Sequence, residues 1–400
     1  MESHALLSRT VNGHAQTPDP SIYMARALDL ARRAWGQTSP NPMVGAVVVK
    51  NGRIVGQGYH RRAGSPHAEV EALQQAGLRA RGATLYVTLE PCNHVGRTPP
   101  CCDAVLSAGI ARVVIATKDP NPMTNGRGIA RLKREGMHVT TGVLEHDAQQ
   151  LNAPFEKAMT TGLPLVIAKV GQSLDGKIAT TRGESRWITS PAARRLVHQW
   201  RSRVDAILVG STTVLTDNPR LTVRGALQRP GKPIRVIVDS RLRIPLNARC
   251  FTSGIPTMIA TTSHSSARKR TQLIRQGVEV LTYTSRRVPL RRLCQDLARR
   301  GIQSLLIEGG GEVLASAFAE RLVDQIVFFI APILIGGRLA PSALGGGGVS
   351  RLAQAIRLSE LRSTRVGPDL CIEARVVYPA HSTSLDFARD RQHTAHRKSR

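Results

Sequence analysis

Aromatic side chains are scarce: at 4% of 400 residues they leave little material for the stacking platforms on which single-stranded nucleic acids lie. Cysteine is scarcer still, with six residues, three of them crowded at Cys92, Cys101 and Cys102. That pattern excludes a secreted disulfide framework and suits metal binding or catalysis. No apolar run reaches 18 residues, and Met1 to Pro20 lacks the charged start, apolar centre and small-residue cleavage site of a secretory signal. The chain therefore reads as soluble and cytoplasmic, with no membrane partner. Acidic residues are half as numerous as basic ones, 28 against 56, so the formal charge is +28. Such an excess points to anionic partners, whether nucleic acid or a phosphorylated metabolite or cofactor, or to a generally basic proteome with no functional message. It is uneven. Residues 20–150 carry a basic surplus of 7 and residues 151–379 a surplus of 19.

What is present, 41% hydrophobic residues over this length, suffices for two domains with their own cores. Residues 1–20 and 380–400 are polar, the latter basic, and both read as disordered. Between them the spacing predicts a helix over Ile22 to Trp35, a hairpin of Val44 to Lys50 and Ile54 to Tyr59 about Asn51-Gly52, and a helix after Ser65-Pro66. Strands at Ala83 to Leu89, Arg112 to Thr117 and His138 to Gly142 then alternate with helices at Cys102 to Ala108 and Arg127 to Glu135. This is a three-layer α/β domain over 21–147. After a helical connector, a second α/β domain over 148–379 has strands at Leu165 to Val170, Ala206 to Val209, Ile234 to Val238, Thr257 to Ala260, Val278 to Leu281, Ser304 to Glu308 and Gln325 to Ala331, with a helix around Ala192 to Arg203.

The first constellation is His67-Ala68-Glu69 behind Pro66, with Pro91-Cys92 at a strand end and Cys101 behind Pro99-Pro100. One imidazole and two thiolates leave the fourth tetrahedral position of zinc to water, whose pKa the metal lowers. Glu69 would shuttle protons from that water to the attacked ring nitrogen and the departing ammonia. Residues two apart on a helix face nearly opposite sides, so His67 and Glu69 share a site only off the helix end, where Pro66 puts them. A closed structural zinc site with Cys102 or His94 as fourth ligand is the alternative. The eight residues between Cys92 and Cys101 depart from the two-residue spacing of nucleic-acid deaminases.

Asn41-Pro42-Met43-Val44-Gly45, His67-Ala68-Glu69, Thr88-Leu89-Glu90-Pro91-Cys92, Gly96-Arg97-Thr98-Pro99-Pro100-Cys101 and Asp119-Pro120-Asn121-Pro122 together resemble the bifunctional deaminase–reductases of riboflavin biosynthesis. The resemblance runs over about residues 21 to 378. It implies a cytidine-deaminase-like three-layer α/β/α domain, then a dihydrofolate-reductase-like α/β domain. The implied first reaction removes ammonia from 2,5-diamino-6-(5-phosphoribosylamino)pyrimidin-4-one, with His67, Cys92 and Cys101 on Zn2+, Glu69 as the catalytic residue and Asn41 orienting the pyrimidine. From the residues alone, Asn41 and the Asp119 segment read equally well as turns beside proline.

In the second half, Gly309-Gly310-Gly311-Glu312 after an apolar strand is a glycine turn into a helix, able to hold a phosphate on free N–H groups. It lacks the full dinucleotide fingerprint. Lys169, Ser173-Leu174-Asp175-Gly176, Gly183 to Ser190, Arg201, Asp205-Ala206-Ile207 and Glu308-Gly309-Gly310 extend the resemblance to the reductase half. By it, Gly171, Trp187, Thr213, Asp217, Ser240 and the loop Gly310, Gly311, Glu312, Val313, Leu314, Ala315, Ser316 would hold NADPH. Ser185, Arg201, Leu221, Arg224 and Glu308 would hold the substrate. Arg201 and Arg224 read as clamps for a ribose phosphate, and Lys169 and Asp217 as proton suppliers when hydride reaches C1′ of the opened ribose. The family also suggests a homodimer. Two rivals remain: a zinc deaminase acting on a nucleic-acid base, and a basic RNA-binding protein with a noncatalytic deaminase fold. The long cysteine spacing and the intact motifs speak against both, so no specific nucleic-acid partner is expected.

Overall fold

The computed structural model describes residues 19–95, 99–224, 232–252 and 254–379. The expected disordered ends therefore lie outside the described residues, except Asp19 and Pro20, which open the first helix. The chain divides into two compact units between Met159 and Thr160.

In the first unit, α1 (Pro20–Arg32) starts where Asp19 accepts a hydrogen bond from the Ser21 N–H at 2.9 Å and Pro20 takes the first helical position. Strands β1 (Gly45–Lys50) and β2 (Arg53–Tyr59) turn on Asn51 and Gly52, both at positive φ, 51° and 72°. There follow α2 (Ala68–Ala76), β3 (Thr84–Leu89), α3 (Cys101–Ser107), β4 (Arg112–Thr117), α4 (Arg127–Arg134), β5 (His138–Thr141) and α5 (Glu145–Leu151), with α6 (Ala153–Thr161) crossing the division. The sheet order is β2-β1-β3-β4-β5. β1 is antiparallel to both neighbours, and β3, β4 and β5 are parallel.

Alternation along these strands builds two cores. Val47, Val49, Tyr86, Val114 and Ala116 pack with α1 and α5. Ala46, Val48, Leu85, Val87, Val113 and Ile115 pack with α2, α3 and α4 on the other face. Each fully buried Val, Leu or Ile contributes about 1.5–3 kcal/mol, which holds the sheet between its helices. The carboxyl edge of β3 and β4 is thereby fixed.

The second unit comprises β6 (Leu165–Ser173), α7 (Pro191–Arg203), β7 (Ala206–Gly210), α8 (Ser211–Asp217), β8 (Ile234–Val238), β9 (Thr257–Thr262), α9 (Ala267–Arg275), β10 (Glu279–Tyr283), α10 (Leu290–Arg299), β11 (Ser304–Ile307), α11 (Gly311–Ala319), β12 (Gln325–Ala331), β13 (Arg357–Val366) and β14 (Asp369–Val377). Its sheet runs β10-β9-β8-β7-β11-β6-β12-β14-β13. Seven strands are parallel, and the β13–β14 hairpin closes one edge antiparallel. That hairpin went unread in the sequence because β13 is exposed along nearly its whole length and shows no alternation. At the centre, the Gly210 N–H donates to the Gly309 carbonyl at 3.0 Å and the Glu308 N–H to that of Leu208 at 2.9 Å. The loops after β7 and β11 therefore emerge side by side, at the carboxyl edge where parallel sheets bind ligands. No helix among the described residues is long and apolar enough to cross a membrane.

Candidate functional site

His67 is the N-cap of α2, with extended backbone (φ −74°, ψ 162°), and Glu69 lies in the first turn. The two-residue spacing is no obstacle, because His67 precedes the helix rather than riding on it. Cys92 follows β3, and Cys101 opens α3 behind the N-cap Pro100. His67 Nδ1 lies 3.0 Å from Cys101 Sγ and 3.6 Å from Cys92 Sγ, and the Cys101 N–H donates to Cys92 Sγ at 3.3 Å. All three ligand atoms fall within 4.8 Å of one another. One imidazole nitrogen and two sulfurs are a donor set suited to zinc, with a coordination position to spare.

Hydrogen bonding from the Cys101 thiol, joined by His67 and the Cys101 N–H, pulls Cys92 down to about 4, whereas that same bond and burial hold Cys101 up as a thiol. Between the two sulfurs the anionic form is thus favoured on Cys92. Cys102 turns away, its Sγ 3.6 Å from the Pro91 carbonyl and 3.9 Å from that of Gly128, and burial pushes its thiol up to about 12. His94 Nδ1 is buried without a hydrogen-bond partner. Neither joins the cluster among the described residues.

Glu69 is buried, and burial pushes its carboxyl up to about 7, with His67 working in the opposite direction. A carboxyl balanced near neutrality can both take and give a proton. Asn41 Nδ2 lies 3.1 Å from Nε2 of His60, whose Nδ1 is 3.1 Å from the Pro66 carbonyl. A carbonyl only accepts, so Nδ1 carries the hydrogen and Nε2 accepts from the Asn41 amide. His60 stands edge-on to His67, ring centroids 5.3 Å apart, and burial lowers its pKa. Sequence reasoning missed His60, a single histidine with no spacing signal. Asp119, also buried, is pushed up to about 6 by that burial.

In the second unit, Lys169 of β6, Arg201 of α7 and Glu308 beyond β11 meet. Arg201 Nε and Nη2 bind the two Glu308 oxygens at 2.5 and 2.6 Å, its Nη1 donates to the Thr222 carbonyl at 2.9 Å, and Lys169 Nζ lies 3.6 Å from Glu308 Oε2. Burial works to raise the Glu308 pKa, yet Arg201 and Lys169 overcome it and hold the carboxyl at about 2. Burial likewise draws Lys169 down against the pull of Glu308. The Arg201 fork is therefore engaged within the protein rather than open to a phosphate. Arg224, the other arginine expected to clamp one, is exposed. Leu221 is buried at φ 49°. His198, missed from sequence, stands by this group with Nδ1 buried and unpartnered, its pKa lowered by burial and by Arg201 and Arg224.

Ser185 donates to Asp217 Oδ1 at 2.7 Å, and Arg186 reaches both the carboxylate and the carbonyl of Asp217. Trp187 is 68% exposed, with the Arg194 guanidinium 4.2 Å and that of Arg186 5.8 Å from its ring centroid. Gly171 lies on β6, where a Cβ would meet Thr189 Cγ2 at 3.2 Å. Thr213, in α8, borders the Gly309-Gly310 turn. Gly310 caps α11 without a side chain, leaving its first N–H groups for an anion, and this fits the diphosphate of a dinucleotide. Within that loop the Leu314 side chain belongs to the core, Ser316 Oγ donates to the Glu312 carbonyl at 2.8 Å, and the Gly346 N–H reaches Glu312 Oε1 at 3.3 Å. Leu314 can thus meet a ligand through its backbone only, and Val313 and Ala315 are half-buried beside it. Ser240, after β8, accepts at Oγ from the Val288 N–H at 3.1 Å, and its carbonyl accepts from Thr262 Oγ1 at 2.8 Å.

Residues 18–117 match the cytidine and deoxycytidylate deaminase zinc-binding region, and residues 164–372 match the RibD C-terminal domain. Riboflavin biosynthesis protein RibD of Bacillus amyloliquefaciens is 46% identical over 88% of this chain and 95% of its own length. Among solved structures, RibD of Acinetobacter baumannii, form 1, superposes with a TM-score of 0.82 at 39% identity, covering 89% of this chain and 98% of that one. A diaminohydroxyphosphoribosylaminopyrimidine deaminase/5-amino-6-(5-phosphoribosylamino)uracil reductase of Thermotoga maritima gives 0.78 at 35% identity, over 89% and 98%.

Proposed function

This chain belongs to the bifunctional riboflavin-biosynthesis deaminase–reductase family, and we propose that its two units act in turn on one phosphorylated pyrimidine. The first deaminates 2,5-diamino-6-(5-phosphoribosylamino)pyrimidin-4-one. The second reduces the ribosyl chain to give 5-amino-6-(5-phosphoribitylamino)uracil. The observation that carries this reading is the convergence of His67, Cys92 and Cys101 beside a buried Glu69 whose carboxyl sits near neutrality.

His67, Cys92 and Cys101 would hold zinc, and the loops around Gly171, Trp187, Thr213, Asp217, Ser240 and Gly310 to Ser316 would hold NADPH. When bound, these groups supply Lewis acidity and hydride respectively. Glu69 takes a proton from the attacking water on its carboxylate, passes it to the pyrimidine ring nitrogen, and returns a proton to the leaving amine. Asn41, its amide set by His60, orients the ring. In the second unit Glu308 stays ionised between Arg201 and Lys169 and offers its oxygens to ribose hydroxyls, while Arg224 meets the phosphate. Hydride addition at C1′ of the imine requires a proton on nitrogen. Lys169, whose burial eases its deprotonation, is better placed to give it than Asp217, which accepts from Ser185. No disulfide joins cysteines among the described residues, and we place the chain in the cytoplasm; the family architecture suggests a homodimer.

The test follows ammonia release and NADPH oxidation separately on the purified, zinc-loaded chain. Ammonia without NADPH, then NADPH consumption on its addition, is the expected result. Silence in both channels, with salt-sensitive deamination of nucleic acid instead, overturns the reading.

A further inference from the structure

Glu90 is a buried carboxylate, 3% exposed, one residue beyond β3 and two before Cys92. Four main-chain N–H groups point at it. Its Oε2 accepts from Asp119 at 3.2 Å and Gly126 at 2.8 Å, and its Oε1 from Gly128 at 2.9 Å and Ile129 at 3.1 Å. Asp119 and Gly126 are the two ends of the loop between β4 and α4, so Oε2 closes that loop at its base. Gly128 and Ile129 lie in the first turn of α4, where unsatisfied N–H groups and the helix dipole favour an anion. Gly128 permits the approach, since a Cβ there would lie 2.1 Å from the Pro91 carbonyl oxygen.

The loop is stiff in itself: Asp119 Oδ1 accepts from the Asn121 N–H at 2.8 Å, and Asn121 Oδ1 from that of Met123 at 3.0 Å. Glu90 ties the base of that loop to the end of β3. Leu89 of β3 pairs with Thr117 of β4, which sets the 119–126 loop beside the segment carrying Cys92, on the carboxyl edge of parallel strands.

We propose that Glu90 is a positioning residue for deamination: it fixes the 119–126 loop against the strand end that carries Cys92 and so sets one wall of the pocket that receives the pyrimidine. The inference rests on the reading that this unit deaminates a pyrimidine. A carboxylate suits the task because both of its oxygens only accept, as four converging donors require.

Glu90→Gln keeps the size but turns an N–H2 group towards two N–H donors. In the full-length, zinc-loaded chain, with NADPH-dependent reduction of the deaminated substrate as the control for folding and concentration, we expect full zinc content and unchanged reduction. The KM for ammonia release from the diaminopyrimidinone ribosyl phosphate should rise about tenfold, with kcat within about threefold of wild type. In an Asp119→Asn background the same substitution should add little, because both act through one loop. Wild-type KM in Glu90→Gln, full additivity in the double variant, or loss of zinc with lower kcat at unchanged KM would each overturn the role, the last reducing Glu90 to a prop for Cys92. Should the amide variant fail to accumulate, Glu90→Asp, which keeps the charge but is one methylene too short to reach both oxygens' donors, must raise KM in the same way, and a wild-type value there also overturns the role. A wild-type chain that releases no ammonia overturns the underlying reading as well, whereas ammonia from wild type with an unmoved Glu90→Gln overturns the role of Glu90 alone.

Discussion

Each unit buries a glutamate at its candidate centre, and the two end in opposite electrostatic states. Glu69 is raised to about 7, while Glu308 is held at about 2. Burial acts on both in the same direction, against the charged form. The outcomes diverge because Glu308 has the Arg201 fork on both oxygens and the Lys169 ammonium 3.6 Å away, whereas Glu69 has no such cation pair: His67, a main-chain N–H and Cys101 draw it down without overcoming burial, to which Cys92 adds. Neighbours, not depth, decide the protonation state. A carboxyl near neutrality suits an exchange of protons; one locked as an anion suits holding a cation or a set of hydroxyls in place.

The largest effect should come from removing the proton-exchanging member. Glu69→Gln is expected to lower ammonia release by about two to four orders of magnitude with zinc content intact, while reduction of deaminated substrate continues. Persistent deamination would place the proton shuttle elsewhere. Chelation of the metal should likewise silence ammonia release alone, and a matching fall in NADPH oxidation would contradict the separation of the two centres.

Glu308→Gln strips the counter-charge from two buried cations. A loss of about 3–5 kcal/mol is expected in the unfolding of the second unit, together with its reductase activity, while deamination persists. The pH sign follows. Glu308 has a folded pKa below its ordinary value of 4.5, so its stabilisation is complete above that value and is lost as pH falls from about 4.5 towards 2, by about 3 kcal/mol in all. Glu69 in the metal-free chain has the reverse sign: its raised pKa favours the folded state at low pH, and that contribution disappears as pH rises from about 4.5 through 7. Hydrogen exchange resolved by segment can follow the units separately, and parallel pH trends in both would break the contrast drawn between the glutamates.

The two centres also differ in how far the sequence announced them. Pro66-His67-Ala68-Glu69 and Pro91-Cys92 are short words whose local conformation, a helix start and a strand end, already sets their geometry. The second centre is assembled across the sheet: Arg201 and Glu308 are 107 residues apart and come from a helix and a strand end. No local pattern could show that they bind each other, so Arg201 read as an open phosphate clamp. His60 and Glu90 were invisible as partners for the same reason, since their bonds run to Asn41 and to the far ends of the 119–126 loop. The strands were legible wherever buried faces imposed a period of two. The β13–β14 hairpin was not, its outer strand being exposed on both sides.

The smallest expected effect tests whether the second unit keeps a ligand surface ready in advance, as the first keeps its ligand atoms. Trp187 leaves 68% of its surface to solvent, yet Arg194 lies 4.2 Å from its ring centroid and Arg186 is tied to Asp217. An exposed indole braced in this way contributes little to folding and has its free area available to a ligand. Trp187→Ala should therefore leave thermal unfolding within about 0.5 kcal/mol of wild type. Its dissociation constant for NADPH, read by calorimetry without substrate, should rise about threefold to tenfold, the equivalent of about 1 kcal/mol. Trp187→Phe should recover part of the loss, because a smaller ring still stacks beneath Arg194. An unchanged dissociation constant in the alanine variant would remove Trp187 from the cofactor surface and leave the Gly310 turn and the loops after β6, β7 and β8 to hold the dinucleotide without it.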